Sequence, residues 1–140
     1  CDIVTDTQMA KAGINKTILA SLGGEVHCFM SDPDVAQEAK SRGVTRAFVS
    51  MEKAAALEKP CIFAIGNAPT ALLSLEQLME EGKAAPALII GVPVGFVNVE
   101  ISKERIIEKA RAPYIVARGR KGGSNVAAAI CNALLYQIRR

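Results

Sequence analysis

The feature that most constrains this chain is an alternation of short, unbroken apolar runs with longer stretches patterned for helix. Asp2–Val4, Glu25–Phe29, Cys61–Ile65, Ala87–Ile90 and Tyr114–Ala117 read as strands. They are apolar at most positions rather than at every second one, the pattern of strands covered on both faces of a parallel sheet. Helical stretches lie between them. Asn15–Leu22 is closed by Gly23-Gly24, a C-cap signal. Asp32 as N-cap and Pro33 at the first helical position open Asp34–Ser41, which Gly43 ends. Thr45–Glu58 is closed by Pro60, and Pro69–Glu81 carries Leu72, Leu73, Leu75, Leu78 and Met79 on a wide apolar face. Ser102–Lys109 begins on a Ser cap, and Ser124–Arg139 ends in basic residues that suit the helix dipole. The alternation predicts an α/β fold: a three-layer, open, mainly parallel sheet with helices on both faces, as one domain over residues 1–140.

Composition narrows the function classes. Half the residues are hydrophobic and 22% are charged, which excludes a disordered or fibrous chain. The net charge of +3, with 4% aromatics and no Trp, supplies no stacking platform for single-stranded nucleic acid, so no nucleic-acid partner is expected. The longest apolar stretch, Ala84–Val99, is broken by Pro86, Gly91, Pro93 and Gly95 and is too short to span a bilayer. No basic stretch followed by an apolar run opens the chain. Cys1, Cys28, Cys61 and Cys131 form no CxxC pair, so buried, reduced thiols in a cytoplasmic protein are expected, with neither zinc nor disulfides. The chain has no initiator Met and reads as strand almost from Cys1, so a fragment or one part of a cleaved chain is expected.

The chemistry concentrates after the strands. Glycine-rich turns follow three of them: Ile65-Gly66-Asn67-Ala68-Pro69-Thr70, Gly91-Val92-Pro93-Val94-Gly95-Phe96 and Arg118-Gly119-Arg120-Lys121-Gly122-Gly123-Ser124. One such turn is a tight connection; three at the carboxyl edge of a parallel sheet predict a ligand crevice with bare backbone. In the last, three cations stand before Gly-Gly-Ser at a helix N-terminus, a setting that favours an anion. The frame is neither GxxxxGK[ST] nor GxGxxG, which leaves nucleotides unsupported and carboxylates open. Asp6 and Gln8 follow the first strand and are candidate ligand contacts, with an N-cap the alternative for Asp6. The lone histidine, His27, sits on a strand and reads as structural, and no Ser/His/Asp or Cys/His set assembles. With no metal-spaced cluster and no nucleotide loop, neither metal nor cofactor is expected.

Together, Thr5-Asp6-Thr7-Gln8-Met9, the stretch from Ile65 to Leu72, that from Gly91 to Val97 and that from Arg118 to Ser124 resemble the precorrin-8X (cobalt-precorrin-8) methylmutases, in the family's order and spacing. The resemblance implies an isomerase of cobalamin biosynthesis. It would move a methyl group between adjacent ring carbons of a corrinoid, giving hydrogenobyrinate or cobyrinate. It implies an α/β homodimer with sites at or near the subunit interface. It also implies that the catalytic histidine belongs to a segment before the first strand, so no catalytic residue is assigned here and this chain alone is expected to be inactive. Such a shift is a sigmatropic rearrangement and needs no nucleophile or redox group; the protein protonates or hydrogen-bonds the ring and holds its shape. For such a substrate the candidate binding residues are Asp6, Gln8, Met9, Asn67, Thr70, Pro93, Gly119, Gly122 and Gly123, with Gly91, Val92, Val94, Gly95 and Phe96 as a floor suited to a flat apolar ring. Arg118, Arg120 and Ser124 join Asn67 and Thr70 at the rim, and Arg46 matches a substrate-contacting arginine. Two readings compete: a non-catalytic tetrapyrrole-binding module, and a small anion-binding α/β domain of unrelated role.

Overall fold

The computed structural model describes residues 2–57, 61–67, 69–93, 99–108, 112–116 and 122–139. The strands are β1 (Asp2–Thr5), β2 (Val26–His27), β3 (Cys61–Ile65), β4 (Leu88–Gly91) and β5 (Tyr114–Val116). They form one five-stranded sheet in the order β2-β1-β3-β4-β5, with every pairing parallel. The α/β expectation holds, and the sheet is wholly parallel. Chain order reverses between β1 and β3, and the helices α2 (Lys16–Ser21) and α5 (Pro69–Glu80) that follow them pack on opposite faces of the sheet.

Alternate strand residues serve opposite layers. Val4, Phe63, Ile65 and Ile89 join α4 (Arg46–Ala55) and α5 (Pro69–Glu80) in one core, with Met51, Leu72, Leu75 and Leu78 fully or almost fully buried. Ile3, Ala64 and Ile90 join α2 (Lys16–Ser21) and α7 (Ser124–Arg139) in the other, with Ile18, Leu19, Ala128, Cys131 and Leu135. Each fully buried Leu contributes about 1.5–3 kcal/mol. Burial on both faces is what selects continuous apolar strands here. Asn132 ties the second layer together: its side chain accepts from Asn15 N–H at 2.7 Å and donates to the Gly13 carbonyl at 2.8 Å.

Several local expectations shift. No element is assigned to 8–13 from sequence, and they form a short helix, α1 (Gln8–Gly13), capped by Thr7. Its six residues are too few for a periodic signal. The second strand shrinks from Glu25–Phe29 to two residues, because β2 is an edge strand with only β1 to pair. Asp32 precedes α3 (Pro33–Arg42) but makes no side-chain cap bond; its carboxylate accepts from Lys53 Nζ at 2.7 Å instead. Ser102 does not cap a helix either, since α6 (Val99–Glu108) begins three residues earlier and buries it. Helix α4 stops at Ala55, three residues short of Glu58, and is capped by Thr45. The stops at Gly23 (φ 82°) and Gly43 (φ 67°) stand as expected. Cys28, Cys61 and Cys131 are buried. Among the described residues, no helix is long and apolar enough to cross a membrane.

Candidate functional site

Beyond the carboxyl ends of β1, β3 and β4 the connecting segments meet at backbone distance. Asp6, next after β1, is buried, and its carboxylate bridges to the turn after β3: Oδ1 accepts from Gly66 N–H and Oδ2 from Asn67 N–H, both at 2.9 Å. Asp6 is therefore not an N-cap; Thr7 takes that place, with Oγ1 accepting from Ala10 N–H at 3.0 Å. A Cβ on Gly66 would lie 2.7 Å from the Gly123 carbonyl oxygen and 2.8 Å from Ser124 Cα. A Cβ on Gly122 would collide with the Val92 carbonyl, which accepts from Gly123 N–H at 2.9 Å. Gly123 has φ 128°, a conformation open to glycine and few others. Thr7 Oγ1 and Ser124 Oγ close the ring of contacts at 2.8 Å. The glycines at 66 and 122 are thus required by the approach of one turn to the next, and the glycine at 123 by its φ.

The residues singled out from sequence divide into groups. Asp6, Asn67, Gly122, Gly123 and Ser124 lie in this junction, with Asn67 exposed and Ser124 half-buried. Gln8 and Met9 are the exposed first residues of α1, and Met9 is 71% exposed. Gly91 and Pro93 are buried, and Val92 packs into the core beneath α7, so its side chain gives no ligand floor; its carbonyl anchors Gly123. Thr70 is exposed on the first turn of α5 and lines a groove of about 670 Å³ with Thr45, Phe48, Leu73, Gln77 and Arg105. Arg46 opens α4 and lines a second depression, with Pro33, Lys40 and Val44. The first hollow is lined from α4, α5 and α6 and the second from α3 and the start of α4, and none of the residues that join the turns lines either. Val94, Gly95, Phe96, Arg118, Gly119, Arg120 and Lys121 lie outside the described residues.

Sequence reasoning placed Thr5 and Thr7 in a motif without giving either a role, and it gave none to the buried Lys103 of α6. Thr5 is fully buried and donates to the Thr7 carbonyl at 2.9 Å, fixing the chain where it leaves β1. Thr7 carries an N-cap signal in a Thr-x-x pattern before Ala10, masked by the brevity of α1. Lys103 is buried in α6; burial pushes its pKa below the usual lysine value, with Glu100 opposing. No periodicity marks it. His27 is structural, as expected: Nε2 shares a hydrogen bond with Asp2 Oδ2 at 2.9 Å, and the ring stacks on Phe29. Asp2, Glu25 and His27 bring their polar atoms within 4.8 Å of one another, but Asp2 Oδ1 already accepts from Glu25 N–H. That geometry is explained by the hydrogen bonds themselves.

Known proteins share both the sequence and the overall fold. The chain is 49% identical over 140 residues to the cobalt-precorrin-8 methylmutase of Salmonella typhimurium, covering 99% of this chain and 64% of that protein. It is 50% identical over 132 residues to that of Priestia megaterium, covering 94% of this chain and 58% of the relative. It superposes on the crystal structure of a precorrin-8x methyl mutase from Thermus thermophilus with a TM-score of 0.86 at 37% identity, over 99% of this chain and 67% of that one. The chain therefore spans about three fifths of the length of these curated relatives. The precorrin-8X methylmutase family model matches residues 1–137, a span that takes in every turn of the junction, and the chain belongs to that family.

Proposed function

We propose that this chain is the corrinoid-binding α/β portion of an isomerase of cobalamin biosynthesis, which converts precorrin-8X or cobalt-precorrin-8 to hydrogenobyrinate or cobyrinate by methyl migration. The observation that carries the reading is the junction of Asp6-Thr7, Gly66-Asn67, Val92 and Gly122-Gly123-Ser124 at the carboxyl edge of the sheet. These are motif residues of the family, and they meet where a parallel sheet of this order leaves a crevice. Asp6 holds the β3–α5 turn; Asn67 and Ser124 face the ligand. The cations Arg118, Arg120 and Lys121 precede the N-terminus of α7, whose leading N–H groups favour an anion, and the ring's carboxylate side chains supply it. Arg46 and Thr70 belong to the proposed site only as its outermost contacts.

The chemistry asked of such a site is modest. The methyl shift runs within the conjugated ring, so binding must fix ring shape and one acid must protonate or hydrogen-bond a ring nitrogen. The acid is assigned to a histidine outside this chain. A homodimer in the cytoplasm completes the proposal, and exposed Ile101, Tyr136 and Ile138 supply apolar surface for association. The deciding experiment incubates the complete protein with precorrin-8X and follows product by its visible spectrum. Formation of hydrogenobyrinate supports the enzyme. Tight binding of hydrogenobyrinate without turnover would favour a binding module, and neither turnover nor binding would remove the corrinoid reading.

A further inference from the structure

Helix α3 sorts its charges onto two faces. Val35 and Ala39 are buried against Val49 of α4. At about 3.6 residues per turn, Asp34, Glu38 and Arg42 fall to one side of that buried stripe, and Pro33, Ala36, Gln37 and Lys40 fall to the other. The cations on the first side are spent on acids. Arg42 pairs with Glu52 at 2.6 Å and with Glu38 at 3.6 Å, and Lys53 of α4 pairs with Asp32 at 2.7 Å and with Asp34 at 3.1 Å. The second side has no acid to offer. There a depression of about 650 Å³ is lined by Pro33, Ala36, Gln37 and Lys40 together with Val44 and Arg46. None of its lining residues is acidic, and among the described residues Lys40 and Arg46 make no ion pair and no side-chain hydrogen bond. Val44 also lines the groove that holds Thr70, three residues on from Asn67, so the depression continues outward from the site already described.

We propose that the depression between α3 and the start of α4 is a carboxylate subsite, in which Lys40 receives a peripheral carboxylate of the corrinoid that reaches past Arg46. The proposal rests on the corrinoid reading above and adds to it a cation and a direction, from Asn67 and Thr70 over Val44 toward α3. The small apolar side chains suit the stem of such an arm, and two unspent cations suit its charged end. The competing explanation is that Lys40, in the last turn of α3, only complements the helix dipole. That explanation gives Lys40 an effect on stability and none on affinity.

The test titrates the complete protein with hydrogenobyrinate, followed by visible absorbance, for wild type, Lys40→Gln, Lys40→Arg and Lys83→Gln, with melting temperatures recorded for each. Lys83→Gln makes the same charge change after α5, where Lys83 pairs with Glu81 at 3.3 Å and lines neither hollow. Because Lys40 is exposed and screened, its contact with a carboxylate is worth about 3- to 10-fold in affinity. The proposal expects Lys40→Gln to weaken binding by that much and to make the affinity less sensitive to salt. Lys40→Arg, which keeps the charge, should stay within about 3-fold of wild type, and Lys83→Gln should leave affinity unchanged. A loss below about 3-fold for Lys40→Gln, whatever its melting temperature, overturns the proposal. So does an equal loss in Lys83→Gln, which would make the effect one of net charge, or in Lys40→Arg, which would separate it from the cation. Wild type that binds while Lys40→Gln matches it fells this proposal alone. Wild type that shows no spectral change fells the corrinoid reading, and this proposal with it.

Discussion

Gly66→Ala isolates the closeness of the turns, because nothing else about the position forbids a side chain. The added Cβ would meet three backbone atoms: Gly123 O at 2.7 Å, Ser124 Cα at 2.8 Å and Gly123 C at 2.9 Å. Ordinary contact begins near 3.4 Å, so the turn must move by about half an ångström or more. No flexible side chain lies in the way to yield. Two hydrogen bonds resist the motion, since Gly66 and Asn67 N–H are both held by the buried Asp6 carboxylate. Overpacking of this kind costs about 1–3 kcal/mol, and straining charge-assisted bonds keeps the value in the upper half of that range. In a protein of this size, about 2 kcal/mol lowers the melting temperature by roughly 4–8 °C. Gly43→Ala is the contrasting control: nothing lies within 4 Å of its Cβ and only φ 67° opposes it, for about 1 kcal/mol. Urea unfolding and calorimetry of the complete protein measure both. The reasoning predicts that Gly66→Ala is the more destabilising and also weakens corrinoid binding. A Gly66→Ala protein within 0.5 kcal/mol of wild type (about the noise of a surface change) would refute the close approach of the β3–α5 turn to α7.

Gly123→Val should destabilise by about 1–3 kcal/mol, read by urea unfolding, because a β-branched residue is poorly accommodated at φ 128°. Asn132→Ala should lose about 1–3 kcal/mol in the same assay, since it leaves the Asn15 N–H and Gly13 carbonyl partners of its side chain unmatched. Burial pushes the Cys131 thiol up to about 12. The neutral thiol is therefore favoured in the folded state: its contribution is complete below about pH 9 and is lost as pH rises from there toward about 12. Stability curves in that window should be flatter for Cys131→Ala, and native Cys131 should resist a thiol reagent at pH 8 until the protein unfolds. In the proposed basic rim, Arg120→Ala should weaken hydrogenobyrinate binding by about 1–3 kcal/mol, and added salt should weaken wild-type binding modestly.

The layers were legible because burial on both faces writes itself into composition. Cys61–Ile65 is recovered without error as β3, and α5 and α7 lie within one residue of the boundaries read from Pro69, Leu72–Met79 and Ser124. Edge strand β2 and short helix α1 were misjudged because a two-residue strand and a six-residue helix carry too few positions for a period to show. The glycine turns were legible as connections beyond the carboxyl edge of the sheet, but the reason for each glycine was not. That the Val92 carbonyl excludes a Cβ at 122 is a tertiary fact that no local pattern encodes. Asp6 illustrates the same gap. Its polarity and place after β1 suggested an external ligand, while the fold directs its carboxylate inward to N–H groups 60 and 61 residues away. Sequence order told which residues gather, and the close approach of the turns decided which way they face.

The central claim is that the junction of turns beyond β1, β3 and β4 is the rim of a corrinoid crevice. Its most direct measurement is an absorbance titration of the complete protein with hydrogenobyrinate, comparing wild type with Asn67→Ala and with Glu81→Gln, an exposed control in the turn after α5. The account predicts a saturable spectral change for wild type, an affinity reduced by about 3- to 10-fold for Asn67→Ala, and no change for Glu81→Gln. Wild-type binding that is indifferent to Asn67→Ala, or absent altogether, would contradict it.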